Sequence, residues 1–397
     1  MNMKKVLFFW FITISCFSQQ KNNNTLRTEL LIGKSIPSYV LFTGKNPQIV
    51  IGSSYEHKNN DNSIEWQSIL NNPTTGLSLY YTNYGTKAKG QSLSLIPFIE
   101  FHPIKNYKWS TKIGMGISYF DTKYNTITNS ENNAISTDLT WVMQGVLYYD
   151  TQLKNDFNLR LGLGVFHHSN GHIKLPNEGL NAGLLSVSSS FNLKSKNKTN
   201  NDIFDKSKVE KYSNAFYSIR FGNGFQAFIS EDSPIKSVYT LSVKGGTFYK
   251  NIVKLSLGIN YRFYQHYYDY IKNNPTTFDK KSKWNASNIY LSVGAEFMLG
   301  YIGIDWETGV NIHKPFYKLH YDLQKNKSLT QYKLKNRIVG RLGLKLYVIN
   351  TKKKPKNNFY IAGNINSNLG QADFSEISIG FVHNINKDKK IKNIYWY

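Results

Sequence analysis

Apolar and polar residues alternate one by one through nearly the whole of this 397-residue chain. Val253, Leu255, Leu257, Ile259, Tyr261 and Phe263 interleave with Lys254, Ser256, Gly258, Asn260 and Arg262. Ile289, Leu291, Val293, Ala295 and Phe297 do the same with Tyr290, Ser292, Gly294 and Glu296, and Ile377, Ile379 and Phe381 with Glu376, Ser378 and Gly380. A period of two sends successive side chains to opposite faces of an extended strand. Each segment therefore has one apolar face and one polar or glycine face. The pattern predicts strands near 25–36, 47–56, 76–86, 92–102, 107–121, 136–150, 155–169 and 181–193. Further strands are predicted near 212–222, 235–246, 250–265, 286–299, 301–312, 335–349, 357–366 and 374–386.

Long amphipathic strands of about 10 residues are the signature of a transmembrane β-barrel, with the apolar face toward lipid and the polar face toward the lumen. A soluble β-sandwich would bury the apolar faces against each other. Strand length favours the barrel, because many segments run to about 10–15 residues where soluble strands average about 5 or 6. Aromatic residues make up 15% of the chain, and no later run is apolar and long enough for a membrane helix, which needs roughly 20 residues. The expectation is an all-β, antiparallel outer-membrane barrel of about 12–16 strands, an even number being favoured by closure. Polar connections such as 194–208, 272–283 and the basic turn 351–358 interrupt the pattern only briefly, so residues 19–397 read as one barrel domain.

Residues 1–18 read as an export signal: Lys4 and Lys5, an apolar run from Val6 to Ile14, then small or polar residues around Ser15 and Ser18. The only cysteine, Cys16, lies inside it. Cleavage after Ser18 leaves a mature chain without thiol or disulfide; acylation at Cys16 is the alternative. The formal charge of +24 comes from lysines scattered over connections and lumen-facing positions. No recognised binding module carries them, which argues against a nucleic-acid partner. Lipopolysaccharide phosphates are one counter-charge and simple compositional bias is the other explanation.

The stretch that departs from a plain structural strand is 155–193. Leu159, Leu161, Leu163 and Val165 form an apolar stripe that continues into His167 and Ser169, a base and a nucleophile two residues apart and so on one face. Asn170 and the flexible backbone at Gly171 lie where oxyanion donors are needed, and Glu178 or Asn181 could orient the histidine. Asn181 shares the parity of Leu185, Val187 and Phe191, so a hairpin could set it beside His167. Spacing alone leaves a plain interfacial turn as the competing reading, since Ser and Asn are ordinary there. The nine histidines show no metal-ligand spacing, and serine ester hydrolysis requires neither metal nor cofactor.

The string His167, His168, Ser169, Asn170, Gly171, followed by Pro176, Asn177, Glu178, Gly179, Leu180, Asn181, resembles the motif region of the lipid A 3-O-deacylase (PagL-type) family, also labelled acyloxyacyl hydrolases. The likeness extends less specifically through Pro73, Gly76, Leu77 and 129–133, and is greatest to longer, Bacteroidetes-type members. The resemblance implies an outer-membrane esterase that removes an acyl chain from lipid A. His167 would be the base, Ser169 the nucleophile and Asn170 an oxyanion contributor. Shorter members orient the histidine with a glutamate twelve residues after the serine; Asn181 stands there in this chain. An asparagine can fix an imidazole but stabilises imidazolium less. Two other readings stay open: an outer-membrane phospholipase, and a non-enzymatic porin or structural barrel whose selectivity Lys254, Arg262, Arg337 and Arg341 would set. The acyl position and oligomeric state are not legible.

Overall fold

The structure is a computed structural model that describes residues 24–36, 46–59, 70, 72–102, 108–152, 158–192, 215–249, 252–274, 278–323 and 328–385. The expected signal segment 1–18, with Cys16, and the polar connection 194–208 lie outside them. All sixteen strands form. The first eight are β1 (Asn24–Ile36), β2 (Pro47–Lys58), β3 (Thr74–Asn83), β4 (Gln91–Phe101), β5 (Trp109–Phe120), β6 (Leu139–Gln152), β7 (Asn158–Ser169) and β8 (Leu180–Asn192). The second eight are β9 (Ala215–Gln226), β10 (Lys236–Tyr249), β11 (Val253–Tyr264), β12 (Ser287–Leu299), β13 (Ile302–His313), β14 (Ile338–Tyr347), β15 (Asn357–Asn368) and β16 (Gln371–Ile385).

The expectation of one barrel of 12–16 strands is corrected: the chain closes twice. β1 pairs with β8, and β9 pairs with β16, giving two antiparallel eight-stranded barrels. Local alternation is identical in one sixteen-stranded and two eight-stranded closures, because only long-range partners such as Leu30 with Val187 and Ile379 with Phe221 differ. Each closure removes the sheet edge that an open meander would leave.

Strand parity sorts the side chains as the sequence requires. Leu30, Ile32, Ile51, Leu163, Val165, Leu185, Leu257, Ile259, Ile377 and Ile379 are exposed on the outer walls. Continuous apolar exposure on this scale marks contact with lipid or a partner rather than water. The interiors are packed, because eight strands enclose only enough room for side chains. In the first barrel Glu29 accepts hydrogen bonds from Tyr80 Oη (2.8 Å), Tyr148 Oη (2.7 Å) and Ser186, while Arg27 pairs with Glu56 and Arg160 with Glu100 (both 2.8 Å). In the second, Arg341 pairs with Asp305 (2.6 Å) and Glu307 (2.7 Å), Lys345 with Glu296 (2.7 Å), and Arg220 with Glu376. A buried charge left unpaired would cost several kcal/mol, so these ions occur as networks.

Strand direction puts the turns 121–138 and 170–179 at one rim of the first barrel. The corresponding rim of the second carries helices α1 (Gln265–Asn273), α2 (Ser282–Asn285), α3 (Tyr317–Leu323) and α4 (Leu329–Arg337). Tyr267, Ile271, Phe316 and Tyr317 bury a small apolar cluster beneath this cap. Arg337 ends α4 and is not a lumen residue, whereas Lys254, Arg262 and Arg341 are buried inside the barrel. The described helices are too short to cross a membrane.

Candidate active site

Strands β7 and β8 pair with His167 directly opposite Asn181. Both side chains leave the outer wall, so the cross-strand geometry brings them together, and His167 Nδ1 lies 2.7 Å from Asn181 Oδ1. An amide oxygen can only accept, so the imidazole donates from Nδ1 in this contact, which in the neutral ring leaves the Nε2 lone pair free. This is the tautomer a general base needs. His168, on the opposite parity, points into the lumen, where Nε2 meets Tyr84 Oη at 3.3 Å and the ring stands edge-on to Phe120.

Ser169 ends β7 on the outward parity of Leu163 and Val165, yet it is buried. The turn that follows covers it. Asn177 Nδ2 donates to Ser169 Oγ at 3.0 Å, and the Gly171 amide donates to the same oxygen at 3.1 Å. The hydroxyl in turn faces Asn177 Oδ1 at 3.3 Å. The serine's hydrogen bonds thus run to Asn177 and Gly171 rather than to His167. Catalytic contacts of this kind often tighten only around substrate.

The two residues expected as oxyanion donors behave differently. Gly171 directs its N–H at the serine. Asn170 is fully buried with its donors engaged: Nδ2 bonds Ser136 Oγ (2.9 Å) and Lys174 O (2.8 Å), and its amide N–H bonds Asn177 Oδ1 (3.0 Å). Its Oδ1 accepts from the His172 amide at 2.9 Å. Asn170 therefore ties the turn together, and Asn177 supplies the side-chain donor that the sequence reading quoted but gave no role. Its one signal is its place in the string from Pro176 to Asn181.

Glu178 is exposed at the rim, and its backbone amide donates to Asn133 O (3.1 Å) while that of Gly179 donates to Ala134 O (3.3 Å). The 129–138 turn thus buttresses the 170–179 turn, which gives 129–133 a structural part in the site. Gly179 has φ +75°, and a Cβ there would stand 3.1 Å from His167 Cε1. Glycine at this position leaves space for the imidazole.

Residues 51–190 match the family model described as lipid A 3-O-deacylase (PagL). The matched segment contains every residue of this site and ends within β8, so the second barrel lies beyond it. No curated protein matches the chain. Among solved structures, the chain is similar to the outer membrane enzyme PagL at 17% identity, over 41% of this chain and 97% of that one, with TM-score 0.30. It is similar at 8% identity to an outer membrane channel from Pseudomonas putida F1, over 93% and 98% of the two chains (TM-score 0.19). It is also similar at 8% identity to a variant of the Rh. blastica porin, over 91% and 100% (TM-score 0.18).

Proposed function

We propose that the protein is an outer-membrane esterase that removes an ester-linked acyl chain from lipid A, with the chemistry on the lipid-facing wall of the first barrel. The observation that carries this reading is the outward His167–Asn181 pair beside Ser169, within the segment that matches the deacylase family model. Acyl chains of lipid A lie in the outer leaflet, so a nucleophile on the outer wall meets its ester without lifting the lipid into water. Ser169 Oγ attacks the ester carbonyl as His167 Nε2 takes its proton, and the same imidazole returns that proton to the leaving ester oxygen, which departs on lipid A as a hydroxyl. Water then attacks the acyl-serine with His167 again as base, releasing the fatty acid. The Gly171 amide and Asn177 Nδ2, already directed at Ser169 Oγ, stand next to where the oxyanion develops. Asn170 holds the turn that aims them. Exposed Lys34 and Lys174 near this rim suit lipid phosphates. On this reading the chain is an exported, longer relative of the deacylases, with lipopolysaccharide as its partner.

The test is release of fatty acid from purified lipid A in detergent micelles by the purified full chain, compared with Ser169→Ala and with phospholipid as substrate. Release from lipid A that disappears in Ser169→Ala supports the reading. Release from phospholipid alone would make the protein a phospholipase, and equal release by the variant would remove Ser169 as nucleophile.

A further inference from the structure

The serine at position 375 belongs to the second barrel, 205 residues beyond Asn170, yet it touches the candidate active site. It shares the outward parity of Ile377 and Ile379 on β16, which are 60% and 61% exposed, but is itself only 4% exposed. The first barrel covers it. Trp141 Nε1 donates to Ser375 Oγ at 3.0 Å, and Ser375 Oγ donates to Asn170 O at 3.1 Å, with Gly171 O a longer second acceptor at 3.5 Å. Trp141 is the cross-strand partner of Ser169 on β6, so the indole flanks the nucleophile's own position.

Two glycines permit this approach. Gly363 on β15 leaves a notch for the indole, where a Cβ would meet Trp141 Cη2 at 2.8 Å. Gly171, with φ +63°, lies so close that a Cβ would fall 2.1 Å from Ser375 Oγ. A second tie follows at once: the Ala227 amide of the second barrel donates to His172 O at 3.0 Å.

We propose that Ser375 is a positioning residue that aims the Gly171 amide at Ser169, so that the active site is completed by the second barrel. The inference rests on the deacylase reading. Its physical basis is the planarity of the peptide: in a trans unit the carbonyl oxygen and the amide hydrogen point in opposite directions. Ser375 holds the Asn170 carbonyl on the side of the second barrel. The Gly171 N–H of the same peptide is thereby turned the other way, onto Ser169 Oγ. Without the Ser375 hydroxyl the Asn170 carbonyl loses this anchor, and the Gly171 N–H is aimed less tightly although the flanking contacts of Asn170 and His172 remain.

The experiment measures kcat, KM and the rate of Ser169 labelling by an alkyl fluorophosphonate in the full-length protein, using Ser375→Ala, Ser375→Cys and Trp141→Phe. Ser375→Ala should lower both kcat and the labelling rate about tenfold with KM unchanged, as befits one lost hydrogen bond. Ser375→Cys, a weak donor of similar volume, should fall between it and wild type. Trp141→Phe, which spares the bond to Asn170, should stay within about threefold of wild type. Retention of the heat-shifted electrophoretic band certifies the fold of each variant. Should Ser375→Ala lose that band, the comparison of Ser375→Cys with wild type decides. Wild-type kcat in folded Ser375→Ala, or a change confined to KM, would overturn the positioning role while leaving the esterase intact. A wild-type protein that neither labels at Ser169 nor releases fatty acid would remove the deacylase reading and the inference with it.

Discussion

At the scale of single residues, the pairing of His167 with a neutral Asn181 makes the orienting group the most exposed part of the mechanism. Asn181→Ala should lower kcat about 10- to 100-fold by freeing the imidazole tautomer, whereas exposed Glu178→Ala should stay within about twofold. Asn181→Glu should keep substantial activity if the wall accommodates one more methylene and a charge. Deacylation rates for the three variants check the order, and loss in Glu178→Ala with Asn181→Ala near wild type would transfer the role to Glu178. Asn177→Ala should cost about 10²–10³ in kcat as an oxyanion donor. His168→Ala should weaken the barrel through its lost contacts with Tyr84 and Phe120 rather than the chemistry. The outward set of His167, Ser169 and Asn181 was legible in the sequence because parity survives folding. The role of Asn177 was not, since it depends on how the 170–179 turn folds back, and no local pattern encodes that path.

At the scale of elements, alternation located all sixteen strands because each one faces two environments for its whole length. Helices α1–α4 escaped the same reading. They lie in polar connections, and α4 buries no residue at all, so no apolar period of 3.6 marks it. The turn between β7 and β8 is the element on which the site depends, and its glycines make it testable. Gly179→Ala should cost about 1–2 kcal/mol for the left-handed backbone and push His167 away from Asn181. Measured together, a lowered heat-modification temperature and a reduced kcat would show both effects; an unchanged kcat would mean that the imidazole does not need that space. On β7 itself, Leu163→Arg at mid-wall should destabilise the barrel by about 2–4 kcal/mol in lipid. Equal stability of that variant in bilayers would argue that this wall does not face lipid.

For the whole molecule, the decisive fact absent from local sequence is where each sheet closes. A single large barrel would leave room for a channel, whereas two eight-stranded barrels fill theirs with Glu29, Arg27 and Arg160 on one side and Arg341, Lys345 and Glu296 on the other. Planar-bilayer recordings of the purified protein should therefore show no sustained ion conductance, and a stable open channel would revive the porin alternative. The central claim, that this paired-barrel protein deacylates lipid A through Ser169, is tested most directly by mass spectrometry of lipid A from cells expressing the wild type, Ser169→Ala or neither. The account predicts lipid A lighter by one acyl chain only with the wild type, while Ser169→Ala accumulates in the outer membrane as a heat-modifiable band. Identical lipid A in all three, with wild-type protein folded in the outer membrane, would contradict it.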